Sequence, residues 1–201
     1  MLDPVGSTSW HNRHLSVFER LAELLREQEI DNPTILVIGP GGVTSLMAGM
    51  LNDSSREDAS SLRKLMGDAA RYSDQLLRRI PVMPLRSLEP EEIERTITVP
   101  HRLVVIDRSQ RILSAVARQI PGAACHCLDV SFQRVPMEAD VIVAFNVFCR
   151  LERPEEGLRN VMPALRPGGL LLIDDRSAAG RLNEWPDVRP VDSKIHRRMP
   201  A

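Results

Sequence analysis

The chain is predicted to fold as an α/β protein: a doubly wound, mostly parallel sheet with flanking helices and a helical insertion between the first and second strands. Three observations predict it. Short, β-branched apolar runs alternate with segments whose apolar residues recur at helical spacing, the rhythm of strands buried on both faces by crossover helices. The first run, TILVIG (Thr34 to Gly39), leads directly into the turn Pro40-Gly41-Gly42 and then into a helical face. Acidic residues close the next two runs, at Asp107 and Asp129, the strand ends at which open α/β sheets bind their ligands.

The elements follow in order. Residues 1–12 are polar and turn-rich and read as an arm. From His14 to Gln28, Leu15, Phe18, Leu21, Leu24 and Leu25 form one helical face, which Asn32-Pro33 ends. Residues 1–33 therefore read as an N-terminal arm and helix, a candidate lid, and 34–201 as the main domain. After the first strand, Val43, Leu46, Met47 and Met50 mark a helix. Residues 54–101 contain no strand-like run. Leu62, Leu65, Met66, Ala69, Leu76, Leu77 and Ile80 instead give the stripe of a long amphipathic helix, ended by Pro81 and Pro84. SLEPEEIERTI adds a short helix with Ser87 or Glu89 near its start.

The α/β rhythm then resumes. Arg102 to Asp107 is the second strand, and Ile112, Leu113, Val116 and Ala117 face the core from the next helix. Ala123 to Asp129 is the third strand and Ala139 to Asn146 the fourth. A helix around Leu158, Val161 and Met162 carries Pro163, which predicts a kink, and ends in the LRPGG turn. Gly169 to Asp175 is the fifth strand. DVRPVD and KIHRRMP suit a short antiparallel hairpin at the sheet edge.

Composition narrows the function classes. A chain of 201 residues suits one domain, and 43% hydrophobic with 26% charged residues allows a sizeable core with a solvated surface. All but two of the 26 Lys and Arg residues are arginine, yet the net charge is only -1, which argues against a broad nucleic-acid face. No apolar run reaches the roughly 18 to 20 residues of a membrane span. The start has no signal-peptide pattern, and the three cysteines are an odd number, so a reducing cytoplasm is the expected location. Cys125-His126-Cys127 lacks zinc-ligand spacing and reads as core, so no metal is implied.

The chemistry-bearing groups stand at strand ends. A glycine turn lets a ligand approach the backbone, and the helix after it aims unpaired N–H groups at an anion. Asp107 is placed to accept hydrogen bonds from a ribose diol, and Asp129 from an adenine amino group. Each has a structural alternative. A glycine-rich turn is often simply a tight turn, and an aspartate after a strand is often a helix cap.

In these segments the sequence resembles the class I S-adenosylmethionine (SAM)-dependent methyltransferases, from Thr34 to Asp175. ILVIGPGG is similar to the family's first motif, LVVIDRS to the strand ending in its ribose-binding acid, and CLDV to its adenine-flanking motif. ADVIVAFNVFCRL and PEEGLRNVMPALRPGGLLLIDD are similar to its fourth strand, following helix, LxPGG turn and fifth strand. The resemblance implies a Rossmann-like fold, SAM as cofactor, and methyl transfer to an acceptor, with a small molecule the default. It also implies roles. Gly39, Pro40 and Gly41 would contact the methionyl part; Asp107, with Arg108 beside it, the ribose; Asp129 the adenine amino group. Val130 would pack on the adenine ring and Asn146 lie near the methionyl group. The acceptor would sit beyond the fourth strand, against Asn146, Cys149 and Arg150. Trp10, His11 and His14 of the arm would close over it, with His14 or His11 a candidate base; a tail followed by a packing helix is the alternative.

Departures from the family keep other readings open. Val37 stands where the family often has an acid, and Val43 replaces its usual third glycine. Both favour a binding or scaffold protein that has kept the fold without catalysis. An aminopropyl-type transferase on the same fold is a further alternative, although the acid-lined channel it needs is missing after the fourth strand. A nicotinamide site is disfavoured, because Gly41 and Asp107 are much further apart than the roughly 20 residues of a dinucleotide unit. The insertion at 54–101 can shape acceptor choice, mediate a homodimer or partner contact, or pack on its own sheet.

Overall fold

A computed structural model describes residues 14–40, 88–145, 147–174, 181–182 and 185–200. The elements are α1 (Leu15–Glu27), β1 (Thr34–Ile38), α2 (Leu88–Thr96), β2 (Arg102–Asp107), α3 (Gln110–Gln119), β3 (Ala124–Cys127), β4 (Ala139–Ala144), α4 (Pro154–Val161), β5 (Leu165–Ile173), β6 (Val188–Pro190) and β7 (Ile195–Arg198). The strands form one seven-stranded sheet in the order β3-β2-β1-β4-β5-β7-β6. β1 to β5 are mutually parallel, while β7 runs antiparallel to both β5 and β6. The predicted sheet, with its antiparallel closing hairpin, is the sheet observed.

The central strands are continuously apolar because both of their faces are covered. Leu36, Ile38, Val104, Ile106, Ile142, Ala144, Leu171 and Ile173 point to one side, where Leu158 and Val161 of α4 and the following Met162 meet them. Ile35, Val37, Leu103, Val105, Val141, Val143, Leu170 and Leu172 point to the other, beneath Phe18, Leu21 and Leu25 of α1, Ile93 of α2, and Leu113 and Val116 of α3. The period of two along each strand divides one sheet between two cores. α1 therefore packs into the same core as the sheet.

Three local readings change. β3 spans only Ala124–Cys127, and Cys125 is half-buried against the core while His126 and Cys127 are exposed, so of this triplet only Cys125 belongs to the core. β3 has β2 as its neighbour and ends the strand order, and an edge strand needs no apolar side chain on its open side. On α3 it is Ala115 that turns inward, and Ala117 is exposed. Pro163 does not kink α4. The α-helix stops at Val161 and Met162–Ala164 forms a separate 3-10 turn, with the proline in its first turn, where a missing N–H costs nothing.

The LRPGG segment is part of β5 rather than a turn before it. Ala139 pairs with Leu165, and pairing resumes only at Val141 with Leu170, so the intervening residues of β5 bulge. Gly168 has φ +84, and a Cβ on Gly169 would lie 2.8 Å from the Asp140 carbonyl oxygen and 2.9 Å from that of Arg166. The paired glycines thus meet a left-handed backbone and a close chain approach. Of the proposed insertion, α2 is described; residues 54–87 lie outside the described residues.

Candidate functional site

The sheet register sets the site. Ile38 pairs with Ile106 and Asp107 with Cys127, so Gly39, Asp107 and the residues after β3 follow one another along the carboxyl edge, at about 4.8 Å per strand. On the far side of β1, Ala144 pairs with Ile173, which sets Phe145 beside Asp174.

Gly39 carries β1 into its turn. Its N–H donates to the Ile106 carbonyl at 2.8 Å, and its φ is +57, a conformation that costs an L side chain roughly 1–2 kcal/mol. A Cβ there would also lie 3.1 Å from Cγ2 of Val147, just past β4. Glycine is therefore required both by conformation and by the approach of a neighbouring loop. Pro40 is buried, and Val37 is buried on the α1 face. Gly41, Gly42 and Val43 lie outside the described residues.

Asp107 is buried at the end of β2. Its Oδ1 accepts the Ser109 N–H at 2.7 Å, and its carbonyl accepts the Leu128 N–H at 3.1 Å. The carboxylate thereby fixes the loop that starts α3, so the structural reading of this residue holds whatever it binds. Arg108 is exposed, and its carbonyl lies 3.5 Å from Cys127 Sγ. Two residues past β3, Asp129 Oδ1 accepts the Ser131 N–H at 2.9 Å, and the Asp129 carbonyl accepts the N–H groups of Phe132 and Gln133. Val130 is buried in the core on the α4 side, and its carbonyl accepts Asn160 Nδ2 at 2.9 Å. Phe132, in the same turn, is 70% exposed, an aromatic face beside Asp129 that strand-end reasoning passed over.

On the other side of β1 the candidate residues separate. Cys149 and Arg150 are exposed in the 3-10 turn Phe148–Arg150. Asn146, Trp10 and His11 lie outside the described residues. His14 is fully buried. Its ring stacks on Phe145 with centroids 3.9 Å apart and planes 20° apart, and its Nε2 lies 3.7 Å from Asp174 Oδ2. His14 is thus a packing residue at the carboxyl ends of β4 and β5, next to an acid that periodicity had assigned to strand. Burial pushes the Cys125 thiol above its ordinary range. Among the described residues no group of three or more His, Cys, Asp or Glu side chains is gathered to hold a metal ion, and no helix is long and apolar enough to cross a membrane.

Residues 92–171 match the family of methyltransferase domains. No curated protein matches the chain in sequence. Among solved structures, the N-methyltransferase NodS from Bradyrhizobium japonicum WM9 in complex with S-adenosyl-L-homocysteine (SAH) superposes with TM-score 0.53 at 14% identity, covering 92% of this chain and 87% of NodS. NodS without that ligand gives TM-score 0.52 at 12% identity, covering 94% and 99%. The plantazolicin methyltransferase BpumL gives TM-score 0.48 at 19% identity over 86% of this chain, which spans 51% of BpumL's length. Residues 92–171 are thus similar to methyltransferase domains, and the chain shares its Rossmann-like fold with NodS.

Proposed function

We propose that this chain binds SAM along the carboxyl ends of β1, β2 and β3 and transfers its methyl group to a small-molecule acceptor. The observation that carries the reading is the row formed by the left-handed Gly39, the buried Asp107 and the turn-forming Asp129. In this reading Gly39, Pro40 and Gly41 take the methionyl part and Asp107, flanked by Arg108, holds the ribose hydroxyls. Asp129 accepts from the adenine amino group, Val130 backs the ring, and Asn146 lies near the methionyl group. These residues fit the cofactor: a backbone without a Cβ admits close approach, and two acids stand ready to accept hydrogen bonds from hydroxyl and amino donors. SAM supplies a methyl group activated on a sulfonium; the protein's part is alignment and exclusion of water, with a base only where the acceptor must shed a proton.

In this reading the acceptor side belongs to Cys149 and Arg150 with Trp10, while His14, fully buried against Phe145, is withdrawn from it. The N-methyltransferase NodS, whose fold this chain shares over nearly its full length, supports methyl transfer as the reaction. A homodimer or partner contact through residues 54–101 is part of the same proposal, tested by the mass of the species in solution.

Titration calorimetry with SAM and SAH is the direct test. Micromolar binding that Asp107→Ala removes is the expected result. Absence of binding to the unmodified protein sinks the cofactor assignment. Val37 favours a second reading, a fold kept for binding alone, because the buried strand offers no carboxylate to the methionyl ammonium. Tight SAH binding without methyl transfer to any acceptor in a broad amine and hydroxyl panel would favour it.

A further inference from the structure

The strongest unexplained feature is the buried pair at the ends of β4 and β5. The His14 and Asp174 side chains are only 1% and 2% exposed, and sealing an imidazole and a carboxylate from water is costly compared with apolar packing. Nε2 of His14 lies 3.7 Å from Asp174 Oδ2, beyond hydrogen-bond distance, and what places the ring is its stack on Phe145, on which it lies nearly flat. Phe145 opens the turn after β4, and two residues later Val147 lies where a Cβ on Gly39 would touch it. Phe145 and Val147 are both buried, one against His14 and the other facing Gly39.

We propose that His14 is a positioning residue: stacked on Phe145, its ring sets the turn after β4 against the glycine turn of β1, so that cofactor affinity depends on the start of the N-terminal helix. The proposal rests on the reading that Gly39 and Asp107 belong to a SAM site. It makes the segment before β1 part of that site without direct contact with the ligand.

The test pairs SAH titration with the amide resonances of Gly39 and Val147 in the ligand-free, nitrogen-15-labelled protein. His14→Ala is expected to weaken SAH binding about tenfold, the size of a typical coupling between sites, and to shift both amides. His14→Phe keeps a flat ring on Phe145 and is expected to recover most of the affinity; it also serves if the alanine variant does not fold. Leu25→Ala removes a buried side chain near the far end of the same helix. It is expected to lower Tm without altering affinity or moving those amides. Unchanged affinity with unmoved amides in His14→Ala overturns the proposal. So does a loss of affinity in Leu25→Ala equal to that in His14→Ala, which would reduce His14 to ordinary packing. If the unmodified protein binds no SAH, the cofactor reading fails on its own. The amides then decide the link: moved by His14→Ala it stands, unmoved it falls.

Discussion

At the amino ends of the strands, Arg166 reaches Glu138 at 3.2 Å and Asp140 at 3.0 Å, and Asp140 also accepts the Thr34 N–H at 2.8 Å. His101, before β2, meets Glu94 at 3.0 Å. At the carboxyl ends, Asp107 and Asp129 accept loop N–H groups, and His14 and Asp174 are sealed from water. Acids at the amino end are matched with basic side chains near the surface, where ion pairs add little. Acids at the carboxyl end are used to shape loops. The contrast teaches that neither charge nor a backbone contact alone marks a candidate site, since Asp140 has both; Asp107 and Asp129 differ in standing at the carboxyl edge, where open α/β sheets bind ligands.

The largest expected effect tests that contrast directly. Asp107→Asn preserves an oxygen for the Ser109 N–H but removes the charge. The two hydrogen bonds assigned to a ribose diol are charge-assisted, so SAH affinity is expected to fall by roughly 10- to 100-fold while Tm changes little. An affinity within twofold of the parent would remove Asp107 from the site.

Gly39→Ala comes next, and it acts on the fold. The left-handed backbone and the 3.1 Å approach to Val147 together predict a loss of about 2 kcal/mol, or roughly 4–8 °C in Tm for a chain of this size. Denaturant unfolding measures it. Unaltered stability would mean that the turn relaxes freely, and the flank it offers to the turn after β4 would lose its significance.

Arg166→Ala probes the opposite end. Half-exposed and paired with two acids, Arg166 is expected to contribute at most about 1 kcal/mol and nothing to SAH binding. A change in affinity here would break the distinction between the two ends.

Much of this arrangement was legible from residues alone, for physical reasons that vary by position. TILVI and RLVVID announce buried strands because both faces of a central strand demand apolar side chains. Gly39, Asp107 and Asp129 were legible because strand ends are where runs of apolar residues stop. Cys125-His126-Cys127 misled, since an edge strand and a central one begin with the same pattern and only the strand order separates them. The bulge in β5 was hidden in LRPGG, which reads as a turn until Asp140 of the neighbouring strand is seen to approach Gly169. His14 was visible as a candidate, but its partner was not. Nothing local joins residue 14 to Asp174; that contact exists because α1 starts beside the ends of β4 and β5.

The smallest effect concerns His196, in the middle of β7 opposite Leu171 and Pro190, away from both ends of the parallel strands. Burial holds its imidazole below the ordinary value of 6.5. The unfolded chain therefore takes up a proton near that value before the folded chain does. Stability is greatest above 6.5, falls as pH drops toward the folded imidazole's lower value, and levels off once both states are protonated. His196→Gln, neutral throughout, is expected to flatten this part of the Tm profile between about pH 7.5 and 5.5 and to leave SAH affinity unchanged. If the slope survives the substitution, His196 is not its source.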